Sequence, residues 1–140
     1  MKSSPEQHRT KREVFLTEMD VLIPWEECVR LIKPHWTGGT RRCEQMLRMF
    51  LLQIWFRLPD DAVQDEICDS CAMTAFMRLN FAAGEQVPST EALREFRSMM
   101  TVNGLQEQFF AIVQRPLARA GKRVGSGPVT EAAVVDQSDS

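Results

Sequence analysis

Met46 to Asp69 reads MLRMFLLQIWFRLPDDAVQDEICD, and this stretch decides the fold. From Met46 to Leu58 it is apolar except at Arg48, Gln53 and Arg57. A run this short and this interrupted does not span a bilayer, which takes about 20 mostly apolar residues. Nor does it alternate as a half-buried strand would. What remains is a helix buried over most of its circumference, which other helices must cover. Pro59 is expected to break it. Asp60 and Asp61 are then expected to open a second helix, where acidic side chains suit the positive end of the macrodipole. The predicted class is therefore all-α, a compact set of helices around one central helix.

The flanking segments supply the cover. Lys11 to Met19 reads as a helix with Val14, Phe15, Leu16 and Met19 inward. Pro24 suits the first turn of the next helix, PWEECVRLIK, in which Trp25, Cys28, Val29 and Ile32 share a face and Pro34 is the stop. The loop HWTGGTRR follows, turning at Gly38-Gly39. Beyond the central segment, CAMTAFMRLNF is predicted helical with Met73, Phe76, Met77 and Phe81 inward. Ser89 or Thr90 is placed to cap the helix EALREFRSMM, whose stripe is Leu93, Phe96 and Met100. Asn103-Gly104 is a turn, and Leu105 to Leu117 is a last helix with Leu105, Phe109, Ile112 and Val113 inward. Pro116 is a misfit there, because a proline inside a helix costs about 3 kcal/mol. Residues 1–10 are predicted to be a disordered basic tail, 11–120 the helical domain and 121–140 a tail. In that tail only Ala132 to Val135 has strand character, and it has no partner.

The chain has 140 residues, is 44% hydrophobic and carries a formal charge of −2, enough apolar matter for one core and no overall basic excess. Positive charge is local. Lys2, His8, Arg9, Lys11 and Arg12 form one cluster and Arg41-Arg42 another. Such clusters are ordinarily solvated surface, and they are also the groups that would meet phosphate. Arg94 and Arg97, on the helix after Pro88, are candidates for DNA contact in a helix-turn-helix-like pair, or else surface partners of a nearby acid. No signal peptide is visible, so the chain is expected to be cytoplasmic, with its four cysteines reduced. Cys68 and Cys71 have a spacing found in zinc and redox sites, but Cys28 and Cys43 form no second close pair. Buried free thiols and no metal site are therefore expected. No nucleophile–histidine arrangement and no phosphate-binding glycine loop is present in the sequence. Neither a membrane nor a small-molecule substrate is expected as a partner.

The central stretch also resembles the N-terminal region of bacterial DDE transposases of the InsH-like group, insertion-sequence family five. The matching residues are Met46-Leu47-Arg48, Gln53, Trp55-Phe56, Leu58 with Asp60, Asp69-Ser70, and Met73, Phe76 and Leu79. Upstream, Lys11-Arg12-Glu13, Phe15-Leu16, Met19 and Ile23-Pro24-Trp25 resemble the family's opening helix and its Pro-Trp break, and downstream Pro88 and Phe96-Arg97 match in order. The resemblance is collinear over roughly residues 9–127. The chain departs from the pattern in a shortened loop between Arg42 and Met46 and in Pro116. It also has Ser89, Glu91 and Ala92 where the family has Asp and Thr-Thr.

The resemblance implies a chain made for DNA transposition and, as it stands, cut short before its catalytic domain. DDE chemistry needs three carboxylates holding two divalent ions. The first falls on Glu131 when counted from Gly127, or on Asp136 when matched to an apolar-Val-Asp pattern. Magnesium would be expected only in an intact enzyme, so this chain is expected to be catalytically inactive and without cofactor. The resemblance makes DNA, at the element's terminal repeats, and full-length transposase the candidate partners, with Arg9, Lys11, Arg12, Arg41, Arg42, Arg94 and Arg97 as candidate DNA contacts. One alternative is a fragment that binds DNA or transposase and inhibits transposition. The other is a helical protein-interaction module unrelated to DNA.

Overall fold

A computed structural model of the chain describes residues 10–121. Residues 1–9 of the predicted basic tail, Arg9 among them, and Glu131 and Asp136 lie outside the described residues, whereas Thr10 is described. Among those described there are seven α-helices and no strand: α1 Lys11–Leu22, α2 Trp25–Ile32, α3 Gly39–Phe56, α4 Val63–Asp69, α5 Cys71–Met77, α6 Thr90–Val102 and α7 Gln106–Arg119. The all-α expectation is met, and α3 is the central helix. Its eighteen residues make it about 27 Å long at 1.5 Å per residue. From Gln45 to Gln53 every side chain on it is buried, so its cover is all-round. α2, α5 and α6 pack directly against it, while α1 lies on α5 and α7 on α2. Aromatic rings fill the two sides. Trp55 sits edge-on to Phe15 and Phe76 at 5.3 and 5.7 Å, and Phe96 meets Trp36 and Phe50 at 5.2 and 6.3 Å.

Both ends of α3 differ from expectation. The helix starts at Gly39, so Thr40, Arg41 and Arg42 are in its first turn rather than in a loop. The two glycines at this end have different reasons. Gly39 has φ +86°, in the left-handed region. Gly38 lacks room, since a Cβ there would stand 2.6 Å from Trp36 Nε1 and 3.0 Å from Arg42 Cγ. At the other end, α3 stops before Pro59 is reached. Arg57 takes φ 53°, its N–H donates to the Ile54 carbonyl at 3.4 Å, and the Leu58 N–H donates to the Gln53 carbonyl at 3.0 Å. This is the Schellman closure, with arginine where glycine is usual. The next helix begins only at Val63, and Asp60 lies in the turn between. The Gln53 amide holds that turn by donating to the Leu58 carbonyl at 3.1 Å and to Asp60 Oδ1 at 2.7 Å.

Elsewhere the caps explain the boundaries. Thr10 and Glu13 form a reciprocal capping box on α1, with the Thr10 N–H donating to Glu13 Oε1 at 2.8 Å and the Glu13 N–H to Thr10 Oγ1 at 3.1 Å. Ser70 ends α4 in extended conformation and caps α5 through the Met73 N–H, and Ser89 caps α6 through the Ala92 N–H. Four inward assignments are corrected. Val14 is 41% exposed, the core face of α1 being Phe15, Leu16 and Met19. Phe81 is 56% exposed, because the left-handed residue Arg78 ends α5 and the chain resumes as a separate 3-10 turn. Cys68 and Cys71 are exposed, because the break at Ser70 leaves both on the outer side of α4 and α5. Cys28 and Cys43 are the buried thiols, and burial first of all pushes them up to about 12 and about 11. α7 does carry Pro116 inside it and still runs to Arg119.

Arg57 is exposed, and no side chain is required at a left-handed cap, which costs a non-glycine residue about 1–2 kcal/mol. Arg57→Gly is expected to raise unfolding stability by about 0.5–1 kcal/mol in urea, whereas Gly38→Ala, which must displace Trp36, is expected to lower it by about 1–3 kcal/mol.

Candidate nucleic-acid interface

One arginine in the central helix is unavailable to any ligand. Arg48 is only 2% exposed. Its Nη1 donates to the Phe76 carbonyl at 2.7 Å and its Nε to Glu44 Oε2 at 2.9 Å, and Nη2 lies 3.1 Å from Asp20 Oδ1. The guanidinium also lies over Trp25, 4.1 Å from the ring centre, and 5.2 Å from that of Phe76. Asp20 in turn accepts from Arg78 Nη2 at 2.8 Å and from Trp25 Nε1 at 3.0 Å. Burial alone would push the Asp20 carboxyl up, but the hydrogen bond from Arg78 and the charge of Arg48 bring it below its ordinary value. This network joins α1, α2, α3 and α5.

The sequence candidates fall into three places. Arg94 and Arg97, on α6, converge on Asp60. Arg94 Nε lies 3.3 Å from Oδ2, Arg97 Nη2 lies 3.2 Å from Oδ2, and Arg97 Nη1 bonds to Oδ1 and, at 3.1 Å, to Gln53 Oε1. The Asp60 carboxyl is held down to about 2, first by Arg97 and then by Gln53. Thr90 Oγ1 adds a hydrogen bond to the Asp60 carbonyl at 3.0 Å. Lys11 and Arg12 start α1, and the Arg12 guanidinium lies 4.7 Å over the Phe56 ring at the end of α3. Arg41 and Arg42 are at the opposite end of α3, about 22 Å from Phe56 along the helix.

At that end the first turn of α3 has no side-chain cap. It borders a groove of about 600 Å³, whose far wall is the segment Gly84 to Ser89 leading into α6. Arg41 Nε and Nη2 donate to Glu85 at 2.5 and 2.7 Å, and Nη2 also reaches the Arg78 carbonyl at 3.0 Å. Arg42 and Gln45 line the same groove. Gln45 was no sequence candidate, since one amide in an apolar run gives no signal of its own. No group of three or more His, Cys, Asp and Glu side chains suited to a metal occurs among the described residues, and no helix there is long and apolar enough to cross a membrane.

The geometry defines a class: a helical domain with a buried ionic pin and surface arginines at both ends of its central helix. Residues 3–99 match a transposase domain family (DUF772), and the chain belongs to that family. The match begins eight residues ahead of α1, runs through most of α6 and leaves α7 beyond it. No solved structure matches the chain.

Two outcomes test the ionic assignments. Arg48→Met leaves Asp20 and Glu44 short of a partner and is expected to cost about 3–5 kcal/mol in denaturant unfolding. Arg48→Lys should recover only part of this, because one ammonium cannot reproduce the planar fork. The low folded value of Asp60 means that its contribution is present above its unfolded value of about 3.9 and is lost as pH falls through about 2. Thermal melts of the wild type should therefore drop between about pH 4 and pH 2. Asp60→Asn should melt lower at neutral pH and lose less across that window.

Proposed function

We propose that this chain is the N-terminal helical part of an InsH-like transposase of insertion-sequence family five, and that it serves DNA transposition by binding DNA and assembling the complex. The observation that carries this reading is the family match over residues 3–99. The ordered resemblance around Met46 to Leu79 supports the finer assignment. Lys11, Arg12, Arg41, Arg42 and Arg94 place exposed or half-exposed cations on the surface, as backbone phosphates require. Cleavage and strand transfer need three carboxylates on two divalent ions. In our reading that chemistry belongs to a catalytic domain, and the helical domain described here serves binding and assembly, not cleavage. A second reading, binding to full-length transposase, is favoured by the exposed Phe81 beside a groove shared with Val87 and Ala75.

A mobility-shift titration on duplex DNA is expected to show binding that weakens steeply with salt, the slope falling by about 1 for each phosphate-contacting cation removed. A flat titration at low salt would sink the DNA-binding reading, and co-elution with full-length transposase would then support the second. Incubation with Mg²⁺ or Mn²⁺ should leave labelled DNA intact, and any cleavage or joining would refute the inactive reading.

A further inference from the structure

The structure assigns Cys68 and Cys71 as a thiol–disulfide exchange site. A small-molecule disulfide such as oxidised glutathione closes an intramolecular S–S bond across the joint between α4 and α5, and free thiol reopens it. The spacing of the two cysteines alone would not make such a site, and the shape of the joint supplies the rest. Asp69 is the last residue of α4, and Ser70 follows in extended conformation at φ −111° and ψ 117°. A helical residue followed by an extended one is the order of a type VIII turn. The residues flanking such a turn, here Cys68 and Cys71, stand less than about 7 Å apart at Cα. A disulfide spans about 4.4–6.8 Å between Cα atoms. The Ile67 carbonyl braces the turn from both sides, accepting from the Ser70 N–H at 3.2 Å and from Thr74 Oγ1 at 2.7 Å. Ser70 Oγ accepts from the Met73 N–H at 3.1 Å. Both cysteines are exposed, and both line one groove of about 660 Å³. Their side chains thus open onto a common space, which is the second condition for a bridge.

Cys28 and Cys43 are the contrast. They are buried, and burial pushes them up to about 12 and about 11. The thiolate is the species that attacks a disulfide, so exchange is confined to the exposed pair. One cysteine thiolate attacks a sulfur of the oxidant, forming a protein–glutathione disulfide and expelling one glutathione thiolate. The other cysteine thiolate then attacks the protein sulfur of that mixed disulfide and expels the second glutathione thiolate. Two protein thiols are oxidised, one glutathione disulfide is reduced, and the two protons leave the cysteines for the two glutathione thiolates. The side chains lining the groove, Gln64, Thr74, Ala75 and Phe81 among them, carry no charge. A neutral bridge suits that wall better than a charged sulfinate would. The bridge alters the groove beside Phe81, but the exchange does not depend on a partner seated there.

The test equilibrates the reduced full chain with glutathione buffers of rising disulfide fraction, traps free thiols with iodoacetamide and reads each cysteine by mass spectrometry. Both cysteines of the pair lie on one tryptic peptide, residues 58–78. That peptide should lose both labels together and become lighter by two hydrogens, while Cys28 and Cys43 stay reduced. In Cys68→Ser, which removes the second attacking thiol, Cys71 should gain glutathione instead. A turn already shaped for the bridge favours it in the folded chain, so the oxidised protein should melt at a higher temperature than the reduced one. The double variant Cys68→Ser/Cys71→Ser should melt alike in both buffers. Two glutathiones on one wild-type chain, disulfide-linked dimers in dilute solution, no bridge at any buffer ratio, or an oxidised form that melts no higher would each overturn the assignment. None of these outcomes bears on the DNA-binding reading above.

Discussion

The buried guanidinium of Arg48 is the constraint on which the rest depends. A charge in a core is tolerated only if it is paired and fully hydrogen-bonded. Here the partners come from three elements: Asp20 from α1, Glu44 from α3 itself and the Phe76 carbonyl from α5. The apolar faces of those helices would accept several packings, since dispersion has no direction. The fork of Arg48 accepts one, because its donors are fixed in a plane. Asp20 extends the constraint by also taking Arg78, the left-handed residue with φ 56° that ends α5.

A second polar clamp does the same at the far end of α3. Gln53 binds the Leu58 carbonyl and Asp60, and Asp60 gathers Arg97 and Arg94 from α6. The turn after α3 is thereby tied to the helix that covers it. The two arginines on α6 that look most like DNA contacts in the sequence therefore have a local partner. Arg94 remains 54% exposed at its side chain and can still meet solvent ions, whereas Arg97 is tied to two residues.

What the sequence shows and what it hides follow from these contacts. The apolar run of α3 and the Leu93, Phe96 and Met100 stripe of α6 are periodic, and periodicity is local, so both could be read directly. The all-α class follows from them. Val14 and Phe81 are apolar residues next to true core positions, and only the packing of α1 on α5 and the turn after Arg78 decide that they face out. The outward placement of Cys68 and Cys71 likewise depends on the break at Ser70, where a serine caps one helix while ending another. The start of α3 was obscured by a run of Gly, Thr and Arg residues, which usually marks a loop. It is helical because Cys43 and Gln45 are buried and draw the preceding turn into the helix. Left-handed arginines at 57 and 78 have no signature, since nothing in an arginine announces a positive φ.

Ionic partners also decide which positive charges remain usable, and this is where sequence and structure diverge over the site. By composition Arg41, Arg42, Arg48, Arg94 and Arg97 are equivalent. In the fold Arg48 is a core pin, Arg97 is a turn clamp, and Arg41 is matched by Glu85. Arg42, half-exposed in the uncapped first turn of α3, lines the groove opposite Gly84 to Ser89. Partly neutralised arginines contribute little to a phosphate's attraction at physiological salt, because their fields are already spent on a carboxylate and screened beyond about 8 Å. A charge near aligned N–H groups acts with the helix dipole instead of against an acid. The near-neutral balance of the chain is thus compatible with DNA binding through a few exposed cations, Lys11 and Arg12 by one end of α3 and Arg42 at the other, without a continuous basic face.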